Sequence, residues 1–332
     1  MVKTYMKTID KIEFQKYVGL KNRDILRKVL LEIGGSEKKT VVLGVDSLSS
    51  GSANLFKEKY PERIFDFGIA EANMISAAAG FSLLGKIPIV LFYGFLVPRI
   101  AEQIRDDICY NNCNVKMITN TSGFNLSTAG ATHHGIEDVS ILNCFPNLTI
   151  IQPATPKEAI VSVFQAVLDY KGPVYLRLTR QMEEEIYSDD QIKNFKIGKA
   201  ITLLGGNDVS IITAGRPLII AKKAAERLQS KGISVRLIDM HTIKPIDKKV
   251  IIKASQETKG IITIEDGNLN GGLGSTICQI TAQFAPTMVK TIGIPFDKFT
   301  IIGPSEESLW DYYGLDVKNI ESSVISMLQQ LT

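Results

Sequence analysis

Short continuous runs of Val, Ile and Leu alternate along this chain with longer segments whose apolar positions recur at helical spacing. In the first half the strand-like runs are Thr40–Val45, Ile64–Phe67, Ile87–Phe92, Val115–Thr119, Leu148–Gln152 and Val174–Leu178. Between them the spacing predicts helices near Asp24–Ile33, Ala72–Leu84, Arg99–Tyr110, Ile136–Asn143 and Pro156–Asp169. Strands that are apolar throughout are buried on both faces, so the pattern predicts a parallel sheet covered by helices on each side. Pro156 at a helix start and Gly172-Pro173 after its end are the punctuation such a helix needs. The segment Gln181–Lys196 carries Glu183-Glu184-Glu185 and Asp189-Asp190 without period and reads as a linker. A second α/β unit follows. Its strands are Val209–Thr213, Val235–Ile238, Ile261–Ile264 and Val289–Ile292, with helices near Leu218–Gln229, Lys248–Gln256 and Ser275–Gln283. The expectation is two α/β domains, each with a mostly parallel sheet covered by helices: an extension over 1–19, a domain over 20–185, a linker over 186–197 and a domain over 198–332.

Composition narrows the function. A chain of 332 residues can bury two cores. A net charge of +3, with bases and acids interleaved, gives no footprint for a nucleic acid. No apolar run approaches the ~20 residues that span a bilayer, and the N-terminal lysines are not followed by the apolar stretch of a signal peptide. A cytoplasmic protein with no membrane partner is expected. Cys109 and Cys113 stand four apart on a predicted helix, but with no further ligand nearby they read as buried thiols, and no metal is assigned.

Four places could carry chemistry. Arg63-Ile-Phe-Asp-Phe-Gly-Ile-Ala-Glu71-Ala-Asn-Met74 sets a carboxylate where an apolar strand meets an alanine-rich helix. Alone, Glu71 reads as a first-turn acid favoured by the helix dipole. A poorly hydrated glutamate there can also share a proton with a heteroaromatic nitrogen. Phe92, Tyr93 and Phe95 after the next strand are either ordinary core or a platform for a flat ring. Two of the chain's three histidines, His133 and His134, stand together in a glycine-flanked loop after the strand Val115–Thr119. Loops at that end of parallel strands hold ligands, and histidine moves protons near neutral pH. Arg180, in Leu176-Arg177-Leu-Thr-Arg180, suits a phosphate or carboxylate and equally a surface ion pair. Gly271-Gly272-Leu-Gly274-Ser275 lacks the order of a nucleotide fingerprint and reads as a tight packing turn.

Phe67-Gly-Ile-Ala-Glu71-Ala-Asn-Met, Gly130-Ala-Thr-His133-His and Pro146-Asn-Leu-Thr-Ile-Ile-Gln-Pro-Ala154 occur in this order, followed by Asp239-Met-His-Thr-Ile-Lys-Pro-Ile-Asp247 and Glu265-Asp-Gly-Asn-Leu-Asn-Gly-Gly-Leu-Gly-Ser275. Together, from about Arg23 onward, they resemble the C-terminal section of transketolase, the part found as a separate subunit in split enzymes. The resemblance implies a thiamine-diphosphate-binding fold of the pyrimidine type followed by a transketolase C-terminal domain. It implies that Glu71 bonds N1′ of the cofactor's pyrimidine, that Phe95 stacks on that ring with Tyr93 beside it, and that His133 meets the substrate, with His134 next to it. Arg180 matches the arginine that grips phosphate, and Thr121 stands where the family has a phosphate-site histidine. Asp46 and Ser49 fall where the family has an acid near the cofactor and a serine near the substrate.

The family's Gly-Asp-Gly and Asn-Asn motif for diphosphate and Mg²⁺ is absent. A partner, the N-terminal transketolase subunit, is therefore expected to hold both, in an α2β2 heterotetramer acting on a small sugar or oxo acid. Ala129 replaces an aspartate that reads a sugar hydroxyl. The leading expectation is transfer of a two-carbon ketol unit to an aldehyde or keto-sugar acceptor. The alternatives are a decarboxylating carboligase that uses a 2-oxo acid donor, and a noncatalytic scaffold subunit.

Overall fold

A computed structural model describes residues 9–20, 22–45, 53–180 and 184–331. Among them, strands β1 (Thr40–Gly44), β2 (Ile64–Asp66), β3 (Ile87–Phe92), β4 (Lys116–Thr119), β5 (Thr149–Ile151) and β6 (Val174–Arg177) pair in parallel, in the order β5-β6-β4-β3-β1-β2. β1, β4, β5 and β6 are buried along their whole length, as continuous apolar runs require. The covering helices are α1 (Asn22–Ser36), α2 (Asn54–Lys59), α3 (Glu71–Leu83), α4 (Val97–Gln103), α5 (Asp138–Asn143) and α6 (Pro156–Phe164). Thr155 caps α6 by accepting from the backbone N–H of Glu158, with Pro156 at the first position. The helix expected over Arg99–Tyr110 is α only to Gln103 and widens into a π-helical turn over Ile104–Tyr110.

The 1–19 extension is not merely an appendage. Ile9, Phe14 and Tyr17 are buried against α1 and α6 in one apolar cluster with Val29, Ile33 and Ile160. The linker is likewise packed rather than solvated. It holds the short helix α7 (Asp189–Ile192), capped by Ser188, and it buries Tyr187, Ile192 and Phe195. The Tyr187 hydroxyl donates to Asp239 Oδ2 at 2.5 Å. Of the charges that marked this segment as a linker, Asp189 and Asp190 lie between those apolar anchors.

In the second domain β7 (Ile201–Leu204), β8 (Val209–Thr213), β9 (Val235–Asp239), β11 (Gly260–Asn268) and β12 (Met288–Ile294) form a sheet of order β12-β11-β8-β9-β7. It is parallel except for the edge strand β7. Its helices are α8 (Pro217–Ser230), α9 (Lys248–Glu257), α10 (Leu273–Phe284), α11 (Glu306–Tyr312) and α12 (Val317–Gln330). One further strand, β10 (Thr242–Lys244), leaves this domain and pairs antiparallel with β5, giving the first sheet its seventh strand. Lys244 then donates to the carbonyl of Asn143 at 2.7 Å and to that of Phe145, closing the end of α5. A single apolar cluster runs from Leu43, Val90 and Met117 through Ile150 to Ile212, Ile238 and Met240, so the two domains share a core.

Candidate active site

The carboxyl ends of β2, β3, β4 and β6 bring most of the expected residues to one edge of the first sheet. Glu71 is the first residue of α3, directly after the β2 turn, and is 6% exposed. Its Oε2 is buried and makes no hydrogen bond among the described residues; its charge partner is Arg99 Nε at 3.4 Å, on an exposed side chain of α4. A buried acceptor without a hydrogen bond calls for an explanation, such as a group that completes it.

Three loops meet after β3 and β4. Gly94 donates its N–H to the Thr121 carbonyl at 2.9 Å, and Gly123 and Gly135 exchange backbone hydrogen bonds of 2.8 and 3.0 Å. This contact demands glycine. A Cβ on Gly94 would lie 2.9 Å from Ser122 Oγ, and one on Gly135 would lie 3.1 Å from the Phe95 nitrogen. The packing sets Phe95 against His133, ring centroids 4.8 Å apart, and against Tyr93 at 5.5 Å in a stacked pair. Tyr93 and Phe95 are half-buried, whereas Phe92 is core beside Tyr175. His133 is exposed, with Nδ1 3.0 Å from the Thr132 hydroxyl and Nε2 without a partner among the described residues.

His134, expected to touch substrate, points the other way. It is 1% exposed, and both ring nitrogens are engaged: Nε2 with the Ser127 carbonyl at 3.3 Å and Nδ1 with the Thr300 hydroxyl at 2.6 Å. A carbonyl only accepts, so the proton sits on Nε2 and Thr300 donates to Nδ1. Burial lowers its pKa, and it joins the two domains as a neutral ring. Thr121 is also buried. Its hydroxyl accepts from Arg180 Nε at 3.1 Å and donates to Asn120 Oδ1 at 3.2 Å, so Thr121 and Arg180 do come together. Arg180 is exposed, and its Nη atoms have no partner among the described residues. Asp46 and Ser49 lie outside the described residues. Ala129 is an exposed methyl on the turn Ser127–Ala129.

Under this edge lies a buried ionic group. Arg177, 1% exposed, donates from Nε to Asp138 at 2.8 Å, from Nη1 to Asp266 at 2.7 Å and from Nη2 to the Gly135 carbonyl at 2.8 Å. Tyr175 adds a 2.6 Å hydrogen bond to Asp138. Burial by itself would lower the guanidinium pKa; Asp138 and Asp266 outweigh it and raise it. The network fixes the backbone of the His133 loop to both domains. Sequence reading passed over it because Arg177 resembles a site arginine and Asp138 a helix-start acid; their mutual burial is a tertiary fact.

The glycine turn after β11 is a packing device, as its order suggested. The Glu265 carboxylate accepts from the backbone N–H groups of Leu273 and Gly274, both at 2.9 Å, and so fills the start of α10 itself. Cys109 and Cys113 are buried, and burial pushes the Cys109 thiol up to about 12.

The family models for the transketolase pyrimidine-binding domain and the transketolase C-terminal domain match residues 19–184 and 198–320. The chain is 33% identical over 299 residues to the 6-deoxy-6-sulfo-D-fructose transketolase subunit SqwH of Clostridium sp. (strain MSTE9), covering 90% of this chain and 91% of that one.

The chain belongs to the transketolase family.

It is also 34% identical over 302 residues to an apulose-4-phosphate transketolase subunit of Phocaeicola vulgatus, covering 91% of this chain and 95% of that one. A solved split-gene transketolase, an inactive β4 tetramer, superposes with a TM-score of 0.83 at 32% identity, over 94% of this chain and 99% of that one. These relatives are subunits, and this chain is the pyrimidine-side subunit of a split transketolase, a transferase.

Proposed function

We propose that this subunit, with a second polypeptide that holds diphosphate and Mg²⁺, transfers a two-carbon ketol unit to an aldehyde or keto-sugar acceptor, as an α2β2 enzyme of the cytoplasm. The domain that receives the pyrimidine is taken as 20–185, the C-terminal domain as 198–332 and the connection as 186–197. The observation that carries the reading is the buried Oε2 of Glu71, without a hydrogen bond among the described residues, on the edge that also carries the Tyr93–Phe95 pair. That is a fit for a flat ring bearing a nitrogen. Thiamine diphosphate, when bound, supplies the electron sink for breaking and making the carbon–carbon bond.

This chain's own residues do the rest. Glu71 holds a proton at the ring nitrogen and so orients it. Phe95 and Tyr93 support the ring face. His133 is exposed and its Nε2 has no partner among the described residues, so it is able to give and take a proton at the substrate oxygen. The two Nη atoms of Arg180, without a partner among the described residues, form a fork that matches an oxyanion. Two relatives are named for a sulfo-sugar and a sugar phosphate, and both kinds of molecule carry such a group. Ala129 offers a methyl where a hydroxyl-reading acid would discriminate, so the acceptor differs from an ordinary aldose phosphate at that hydroxyl.

The test is titration calorimetry. The isolated chain should bind thiamine diphosphate only weakly, and adding the diphosphate-side subunit with Mg²⁺ should restore binding. A micromolar or tighter complex with this chain alone, about −8 kcal/mol, would end the two-polypeptide reading.

A further inference from the structure

Arg180 is fastened at two points. Its Nε donates to Thr121, and its backbone N–H donates to Asn125 Oδ1 at 2.8 Å. The other end of the same amide, Asn125 Nδ2, donates to Glu306 Oε2 at 2.8 Å. The partners fix which way the amide points, because an N–H only donates and a carboxylate only accepts. Glu306 opens α11 in the C-terminal domain and is buried in an ion pair with Arg216, whose guanidinium lies 4.9 Å from the centre of the Trp310 ring. A continuous polar chain therefore runs from the buried Arg216–Glu306 pair, through one asparagine, to the backbone of the exposed arginine.

We propose that Asn125 is a positioning residue for anion recognition, tying Arg180 of the first domain to Glu306 of the C-terminal domain. The proposal rests on the reading of Arg180 as the anion-gripping side chain. Asparagine is suited to the place because it offers an acceptor and a donor at once without a charge. Alanine breaks both links. Aspartate keeps the acceptor for Arg180 but faces the Glu306 carboxylate with a second carboxylate. In this geometry the C-terminal domain sets how firmly the guanidinium fork is presented, and the site's grip on an anion depends on a helix outside the first domain.

The experiment uses the enzyme reconstituted with its diphosphate-side subunit, Mg²⁺ and thiamine diphosphate, with one ketose donor and two acceptors, glyceraldehyde 3-phosphate and glyceraldehyde. They differ only in the phosphate, so the ratio of their kcat/KM values isolates anion recognition. R180A should collapse the ratio toward one. N125A should lower kcat/KM for the phosphorylated acceptor at least about ten-fold more than for glyceraldehyde, the scale of one charge-assisted hydrogen bond, through KM rather than kcat. N125D should lower the ratio similarly. N125D/E306Q, which places an amide donor opposite the new carboxylate, should recover it to within about three-fold of wild type.

If R180A leaves the ratio unchanged, or the wild-type ratio is already near one, the anion site is elsewhere and the inference falls with it. If R180A collapses the ratio while N125A and N125D lower both acceptors equally, Arg180 stands and the role of Asn125 is overturned. Failure of the double variant to exceed N125D, with both proteins melting near wild type, overturns the link to Glu306.

Discussion

Glu71 and Glu265 make an instructive pair. Glu71 opens a helix that follows a parallel strand, Glu265 lies within a parallel strand beside the start of the next helix, and each is 6% exposed. Glu265 accepts two backbone N–H groups at the start of α10. Glu71 keeps an oxygen that meets the exposed Arg99 as an ion pair but takes no hydrogen bond among the described residues. Burial therefore does not separate a site carboxylate from a packing one; satisfaction does. One spends its acceptor capacity on its own fold, and the other holds it for something that arrives.

Three measurements break or sharpen that contrast. The largest effect belongs to Glu71→Ala in the reconstituted enzyme. Turnover should fall on the order of 10²–10⁴-fold, the usual contribution of a proton-handling group, while the melting temperature stays near wild type. Near-normal turnover would make Glu71 an ordinary helix-start acid. Next is Glu265→Ala, which strands two buried N–H donors. Urea unfolding should show a loss of about 2–4 kcal/mol, with kcat per folded enzyme close to wild type. A large loss of kcat with unchanged stability would place Glu265 in the chemistry and erase the distinction.

The smallest effect is a slope. Burial raises Glu265 to about 7 from 4.5, and its two backbone donors offset only part of that rise. A carboxyl whose folded pKa is raised stabilises the fold fully below the unfolded value and loses that contribution as pH climbs through the folded value. Wild-type stability measured against Glu265→Gln should therefore decline between about pH 4.5 and pH 7, by at most about 1.4 kcal/mol per pH unit, and level off above. A difference that grows with pH would mean the site prefers the charged form.

Much of this was legible in the sequence because it is local. Continuous apolar runs gave both sheets, and Pro156, Gly172 and the alanine-rich start of α3 gave helix limits within a few residues. Glu71, Phe95, His133 and Arg180 were singled out by the family resemblance, in segments that the pattern already set after strand ends. What was missed depends on distance in the chain. His134 was expected beside the substrate next to His133, yet a one-residue step turns its ring into the domain boundary, where Thr300 meets it. Asn125 carries no motif, and its importance lies in Glu306, far along the sequence. β7 and β10 are short edge strands, and α11 and α12 lie where the apolar spacing had not been followed, so pattern alone did not mark them.

Strand β10 has a consequence for how such a molecule can be recombined. Because the second domain lends a strand to the first sheet, cutting at the connection would strip β5 of its neighbour and leave an open edge ready to pair with another chain. A foreign C-terminal domain would have to bring an edge strand of matching register, a lysine to close α5 and a carboxylate to meet Asn125. The two domains should therefore be moved and engineered as one cassette, not divided at the connection.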